Sequence, residues 1–348
     1  LKDFQPDYFS STIENSYPYK FLNSKIAFNE LHKNYRDLEN ITQISSVSGY
    51  GVNSQNIKIV SKGQSYLLKF WNTPDVSRIN EVCQILNHVN RDDVNAPIPI
   101  YNCDSNYTSI IESKIATLFT FIEGSVFTPK LFDLPSYFSE VNKLFVSLKN
   151  FNYEKNELPK MLDMDAMSFS ITKLCENKNS YFYDNYYESM KILMKIKSQL
   201  LESLDTYSKQ FMFTQIQYSH YDLHPKNILQ ISKDDFAFLD FESCDMYDPN
   251  LAWGFSLIKI LRQILVNSKD PKLPAKIGPS SLELIRNLPF AEMLLVDLLP
   301  IFGRVEIMRR LTYIVNAYEN SNSTEWISMF PVQIQLLRES LIMFDQWQ

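Results

Sequence analysis

Between residues 39 and 71, apolar and polar positions alternate in three runs, ENITQISSV, VNSQNIKIV and SYLLKFW. A period of two turns one face of each run toward a core and predicts three strands. Lys62-Gly63-Gln64 supplies a hairpin turn between the second and third. The period then changes. In VSRINEVCQILNHV, residues 76–89, apolar positions recur every three or four residues, which predicts a helix with Asp75 placed to cap it. A shorter amphipathic helix is expected upstream, in IAFNELHKNY (27–36), and two further strands downstream, in PIPIY and SKIATLFTFI. Beyond Gly124 helical spacing prevails, in PSYFSEVNKLFVSLKNF, in the long YFYDNYYESMKILMKIKSQLLESL, and from 250 to the end. Only the short strand-like runs QIQY, ILQI and FAFLDF interrupt it.

This segregation predicts an α+β architecture rather than alternating βαβ units. Three divisions follow: an N-terminal extension and helix (1–36), a strand-rich small lobe (37–123) and a larger, mostly helical lobe (124–348). A hydrophobic fraction of 45% with 21% charged residues is that of a folded chain rather than a disordered one. Seven glycines in 348 residues make each a position where the backbone is expected to need one. The net charge of −6, without a basic run, argues against nucleic acid as partner. The most apolar stretches, LAWGFSLIKILRQILV and LPFAEMLLVDLLPIF, are broken by Lys259, Arg262, Glu292 and Asp297, so no membrane span is expected. Cys83, Cys103, Cys175 and Cys244 are scattered, and the opening LKDFQPDYF has no apolar signal core. Both observations point to reduced thiols and a cytoplasmic location.

The densest chemistry lies in YSHYDLHPKNIL, residues 218–229. His220, Asp222 and His224 alternate as zinc ligands on a strand do, but Pro225 intrudes and no Cys/His cluster elsewhere offers the remaining ligands. Phosphoryl transfer fits better. It needs a carboxylate to receive the acceptor's proton and oxygen ligands for Mg²⁺. Asp222 and Asn227 are five positions apart, as the base and a metal ligand are on a protein-kinase catalytic loop. Asp240, thirteen residues after Asn227, opens a D-F-E triplet. A strand out (ILQI), a turn at SKDD and a strand back (FAFLD) would return Asp240 to the side of Asn227.

HYDLHPKN followed by FLDFE resembles the aminoglycoside phosphotransferase, choline kinase and homoserine kinase superfamily, whose motifs read H-G-D-L-H-x-x-N and I-D-(F/W)-E. The resemblance spans roughly residues 40–265 and implies a two-lobed protein-kinase-like fold with an antiparallel small lobe that binds nucleotide. It implies ATP (or GTP) and Mg²⁺ as cofactors and a small-molecule hydroxyl as acceptor. Asp222 would act as catalytic base, and Asn227 and Asp240 would hold the metal. Gly49 and Gly51 in SVSGYGVNS would let backbone N–H groups approach phosphate. Lys69 would bind phosphates, steadied by Glu81, and the backbone of Thr120, Phe121 and Ile122 would read adenine. Glu123 is placed near the ribose or in solvent. Two departures stand out: Tyr221 replaces the family's Gly, and Asn250 stands where a further Asp is usual.

Family acceptors include aminoglycosides, amino alcohols, homoserine and sugars. Glu242, Asp245 and Asp248 make an amine-bearing acceptor one expectation, and Trp253, Tyr186 and Tyr187 are candidates for boxing a quaternary ammonium. For the acids the alternatives are support of the Mg²⁺ ligands and plain solvation on the loop, and for the aromatics ordinary core packing. A protein or peptide kinase on the same fold, or a non-catalytic nucleotide-binding module, are the rival functions. The presence of Lys69, Asp222, Asn227 and Asp240 together argues against the latter.

Overall fold

A computed structural model describes residues 25–47, 55–153, 162–211, 214–268, 270 and 272–345. Gly49, Gly51 and the first 24 residues therefore lie outside the described residues.

Helix α1 (Lys25–Asn34) leads into β1 (Ile41–Ser46), β2 (Gln55–Ser61) and β3 (Gln64–Phe70). Then follow α2 (Val76–Arg91), β4 (Pro99–Ile100), β5 (Ser109–Ile111) and β6 (Lys114–Thr120). The strands form one antiparallel sheet in the order β1-β2-β3-β6-β4, with β5 also paired to β6. Strand parity decides what each face does. Tyr66, Leu68 and Phe70 of β3 point to one face and pack with Leu31 and Tyr35 from α1 and the residue that follows it. Leu67, Lys69 and the following Trp71 point to the other face, toward the cleft. The lysine is thus delivered to the cleft by alternation alone. Asp75 caps α2 as expected, its Oδ1 accepting from the Arg78 backbone N–H at 3.0 Å.

The helical part comprises β7 (Ser125–Val126), α3 (Leu134–Asn150), α4 (Met164–Glu176), α5 (Tyr181–Asn185) and α6 (Tyr187–Gln210). Short strands β8 (Gln217–His220), β9 (Ile228–Gln230), β10 (Phe236–Phe238) and β11 (Cys244–Tyr247) come next. Helices α7 (Pro249–Asn267), α8 (Pro274–Arg286), α9 (Leu299–Ser321) and α10 (Phe330–Phe344) close the chain. The single long helix expected from residue 181 is two. Non-helical backbone at Tyr186 turns the chain so that Phe182 and Tyr186 both meet Phe330, with ring centroids 4.5 and 5.3 Å away.

Helix α7 is apolar nearly all round because it is the buried centre of this part, as a helix without a polar face must be. Its Arg262 reaches Glu339 of α10 at 2.5 Å, so that buried charge is paired. Among the described residues no helix is long and apolar enough to cross a membrane. The four cysteines are unpaired and only Cys103 is exposed.

Helices α7 and α9 touch backbone to backbone at Gly254 and Gly303. A Cβ on Gly303 would sit 2.4 Å from the Gly254 carbonyl oxygen, where no side chain can give way. That contact sets how deeply α9 is seated, and α9 carries a residue of the site described below. Gly303→Ala is expected to cost about 1–3 kcal/mol by overpacking. Its denaturant midpoint, compared with that of an exposed Ser→Ala control, checks this.

Candidate active site

The loop 221–227 is held at both ends. Strand β8 pairs with β11, placing His220 opposite Cys244, and β9 pairs with β10, placing Ile228 opposite Phe238. His220 is fully buried. Its Nδ1 accepts from the Asp222 N–H at 3.3 Å, so Nε2 carries the proton and donates to the Leu239 carbonyl at 2.8 Å. Burial holds its pKa below the usual histidine value. A neutral ring fits that bracing role. His224 Nδ1 likewise accepts from the Lys226 N–H at 3.2 Å. Both histidines thus serve the loop backbone, and among the described residues no three His, Cys, Asp or Glu side chains gather as a metal cage.

The hairpin returns Asp240 to Asn227. The Leu239 N–H donates to the Asn227 carbonyl at 2.9 Å, so the two residues share the open end of the β9–β10 pair. The strand ends at Phe238, earlier than its apolar pattern implies, because Asp240 adopts left-handed backbone (φ 61°). That conformation costs about 1 kcal/mol in a non-glycine residue and turns the carboxylate out of the sheet. The Asn227 amide nitrogen lies 3.0 Å from the Asp222 carbonyl, 3.5 Å from Asp222 Oδ2 and 3.5 Å from Asp240 Oδ2. The three side chains named from spacing therefore converge on one gap. With Nδ2 donating to the Asp222 carbonyl, the amide orientation is fixed, and Oδ1, which makes no hydrogen bond to a described residue, is the atom left for a cation. One amide oxygen and one carboxylate form a hard-oxygen donor pair, which suits Mg²⁺, an ion that keeps most of its shell for water and phosphate.

Beside this gap runs an open cleft between the sheet and the helical part, lined by Lys69, Thr120, Phe121, Ile122, Asn227 and Asp240 among others. The Thr120 and Phe121 N–H groups already donate to Ile98 and Ser65 carbonyls, at 2.9 and 3.1 Å. Ile122 makes no backbone hydrogen bond to a described residue, so of the three it is the donor left for a ligand. Glu123 is 72% exposed and bonded to Lys58 at 2.5 Å, with Lys58 also 4.0 Å from the Phe121 ring centroid.

The expected partner of Lys69 requires correction. Lys69 pairs with Glu242, two residues after Asp240, and lies 4.6 Å from the Trp71 ring centroid. Glu81 is buried and engaged elsewhere: Arg78, one turn earlier on α2, reaches its Oε2 at 2.5 Å, and the Tyr218 hydroxyl donates to its Oε1 at 2.7 Å. Arg78 Nη2 also donates to the Glu242 carbonyl at 2.9 Å and to that of Cys244. Glu81 thus ties α2 to β8 and β11, and Glu242 is left to meet the lysine. Glu242→Gln is expected to weaken nucleotide binding less than tenfold, and Glu81→Gln to lower the melting temperature more than nucleotide affinity. Calorimetric titration with ADP and a thermal melt of each variant separate the two roles.

The acids and aromatics considered for an amine are committed too, Asp245 accepting from the Met246 N–H through Oδ1 at 2.7 Å. Asp248 is buried, caps α7 through the Asn250 N–H at 2.8 Å and accepts from the Tyr207 hydroxyl at 3.2 Å. Asn250 is structural, its Oδ1 accepting from the Leu295 N–H at 2.8 Å. Trp253 is core, packed on Phe145, while Tyr186 packs tilted on Phe330 and Tyr187 carries Lys191 over its ring. The Tyr221 ring packs 5.4 Å from Tyr247.

One residue of the site was missed by sequence reasoning. Arg310 of α9 donates from Nη1 to Asp222 Oδ1 and from Nη2 to the Tyr221 carbonyl, each at 2.7 Å. Its Nε meets Glu306 Oε1 at 2.7 Å, and Glu306, fully buried, also binds Arg309 through both oxygens and accepts from the Tyr247 hydroxyl. Burial alone would raise the Asp222 pKa; the Arg310 charge, with His224, overrides it and holds the carboxyl far below the usual range. The available signal was Glu306, Arg309 and Arg310 at i, i+3 and i+4 in a helix stretch rich in apolar residues, where such charges must be paired.

An antiparallel sheet over a helical part, with Asp, Asn and Asp meeting a cleft-facing lysine at their junction, defines a phosphotransferase of the two-lobed kinase-like class. Residues 47–250, more than half of the chain, match the model of the phosphotransferase enzyme family, APH, and the chain belongs to that family. Among solved structures it resembles amicoumacin kinase hAmiN in complex with AMP-PNP, Ca2+ and Ami, at 11% identity over 93% of this chain and 94% of that one, with TM-score 0.60. It resembles spectinomycin phosphotransferase APH(9)-Ia in complex with ADP and its antibiotic, at 12% identity over 92% and 98%, TM-score 0.60. A microcompartment-associated aminopropanol kinase gives 15% over 92% and 96%, TM-score 0.59. These likenesses show the shared fold. No curated protein matches the chain by sequence.

Proposed function

We propose that the protein transfers the γ-phosphoryl group of ATP, with Mg²⁺, to a hydroxyl of a small molecule. The observation that carries this reading is the convergence of Asp222, Asn227 and Asp240 at the edge of a cleft that also presents Lys69. Structural neighbours solved with AMP-PNP, ADP and AMP support an adenine nucleotide. Residues 37–123 are assigned to nucleotide binding and 124–348 to acceptor binding and catalysis.

Adenine lies against residues 120–122, with the Ile122 N–H as its donor. Lys69 leaves Glu242 to meet the phosphates, a short move because both residues line the cleft. Asn227 Oδ1 and the Asp240 carboxylate hold Mg²⁺, which when bound neutralises phosphate charge. Asp222 Oδ2, with only two contacts at 3.5 Å, orients the acceptor hydroxyl and takes its proton. Arg310 fixes the other oxygen, so the carboxylate cannot turn. A base whose pKa lies so low contributes through orientation more than basicity, as a loose transition state allows.

The test is Mg²⁺-dependent ADP release over a panel of sugars, hydroxy acids, amino alcohols and aminoglycosides. Turnover with at least one small acceptor is expected. Labelling of added protein with no small acceptor used would replace this reading with a protein kinase.

A further inference from the structure

Three consecutive backbone carbonyls just after Asp240 are gripped from two sides. Arg78 Nη2 donates to that of Glu242 at 2.9 Å and to that of Cys244, and the Tyr221 N–H donates to that of Ser243, between them, at 3.0 Å. The stretch in turn holds Asp240: the Ser243 N–H donates to the Asp240 carbonyl at 3.0 Å and the Ser243 hydroxyl to Oδ2 at 3.3 Å. Asp240 needs such a hold, because a non-glycine residue keeps left-handed backbone only where its surroundings impose it. Arg78 itself has little freedom. Its Nη1 meets Glu81 Oε2 at 2.5 Å, and Glu81, buried, is pinned by the Tyr218 hydroxyl at 2.7 Å. Burial alone would lower the Arg78 pKa; Glu81, with Asp245, overrides it and holds the guanidinium charged. Glu242 therefore has two separate attachments, its side chain to Lys69 and its carbonyl to Arg78. Departure of Lys69 to phosphate breaks only the first.

We infer that Arg78 is a positioning residue for Asp240, and that through it the seating of α2 governs how tightly Mg²⁺ is held at Asn227 and Asp240. The inference rests on the reading of those two residues as metal ligands. One planar nitrogen with two N–H groups spans the Glu242 and Cys244 carbonyls, so the turn between them cannot open without losing a bond. Without the guanidinium, the carbonyl of the fully buried Cys244 would lose this partner and the turn would relax. Asp240 would then sample backbone conformations that carry its carboxylate away from Asn227. Groups that orient metal ligands in this way contribute about 10–100-fold to metal affinity. Charge alone gives the opposite sign, since removing a cation from the neighbourhood of a Mg²⁺ site tightens the metal. The direction of the change therefore separates positioning from electrostatics.

ADP is titrated calorimetrically into the full chain with and without Mg²⁺, and the ratio of the two affinities is the readout. Arg78→Gln is expected to cut that ratio about 10-fold. Arg78→Lys keeps the Glu81 pair but cannot span both carbonyls. It should lose part of the ratio, and it tests the same point should Arg78→Gln not fold. Glu81→Gln still offers Arg78 an amide oxygen, so it should melt earlier than wild type yet keep most of the ratio. A ratio unchanged or larger in folded Arg78→Gln, or in Arg78→Lys where that variant alone folds, overturns the inference. An equal loss in Glu81→Gln overturns it too, because Arg78 would then contribute to stability only. A wild-type chain whose ADP affinity ignores Mg²⁺ sinks the metal assignment together with the inference, whereas a normal wild-type response that survives loss of the arginine sinks the inference alone.

Discussion

Replacing Asp240 with alanine is expected to lower turnover at least ~1000-fold, because it removes the one carboxylate in the proposed metal-ligand pair. Its position makes the experiment clean. Asp240 is exposed at the open end of a two-strand hairpin, and its side-chain contacts to described residues, Asn227 at 3.5 Å and Ser243 at 3.3 Å, are weak. Little folding energy rides on the carboxylate itself. The left-handed backbone is the complication, since alanine tolerates it poorly. Asp240→Asn keeps both the shape and the tolerance for positive φ, and isolates the charge. It should still lose on the order of 100-fold. Steady-state ADP release together with a melting curve for each variant checks both statements, and full turnover in Asp240→Ala would end the assignment.

The second large effect concerns stability. Glu306→Gln is expected to cost about 3 kcal/mol, because it leaves two guanidinium groups facing a neutral amide in a buried site. Burial alone would raise the Glu306 pKa; Arg309 and Arg310 outweigh it, and the net shift is downward. A depressed carboxylate stabilises the fold above its unfolded pKa, and that contribution is lost as pH falls through the folded value. The stability difference between wild type and Glu306→Gln should therefore be full at neutral pH and shrink as pH falls below the ordinary glutamate range, about 4. Denaturant titrations at several pH values measure it. Turnover should fall with stability in this variant, since Arg310 then holds Asp222 less firmly.

What could be read from sequence, and what could not, follows from how local each contact is. The β9–β10 hairpin and the two proposed metal ligands at its open end are encoded within a score of residues, where strand alternation and turn chemistry fix the return of Asp240 to Asn227. Lys69 faces the cleft for the same reason. Its partner was misjudged because two glutamates, Glu81 and Glu242, both suit an ammonium; Arg78 engages the first, and no periodicity ranks three such charges in advance. Arg310 lies 88 positions from Asp222, on a helix whose seating depends on the Gly254–Gly303 contact. That contact joins helices far apart in the chain, and spacing rules do not reach it. Trp253, weighed from sequence between a ligand and the core, is the opposite case, a side chain that packing needs.

Nucleotide affinity measured with and without Mg²⁺ tests the account most directly. For the wild-type chain, ADP is expected to bind at least ~10-fold more tightly with Mg²⁺ present. That increment should vanish in both Asp240→Ala and Asn227→Leu, with Mg²⁺-free affinity left close to wild type. If the Mg²⁺ dependence survives in both variants, residues 227 and 240 do not hold the metal and the proposed site is wrong.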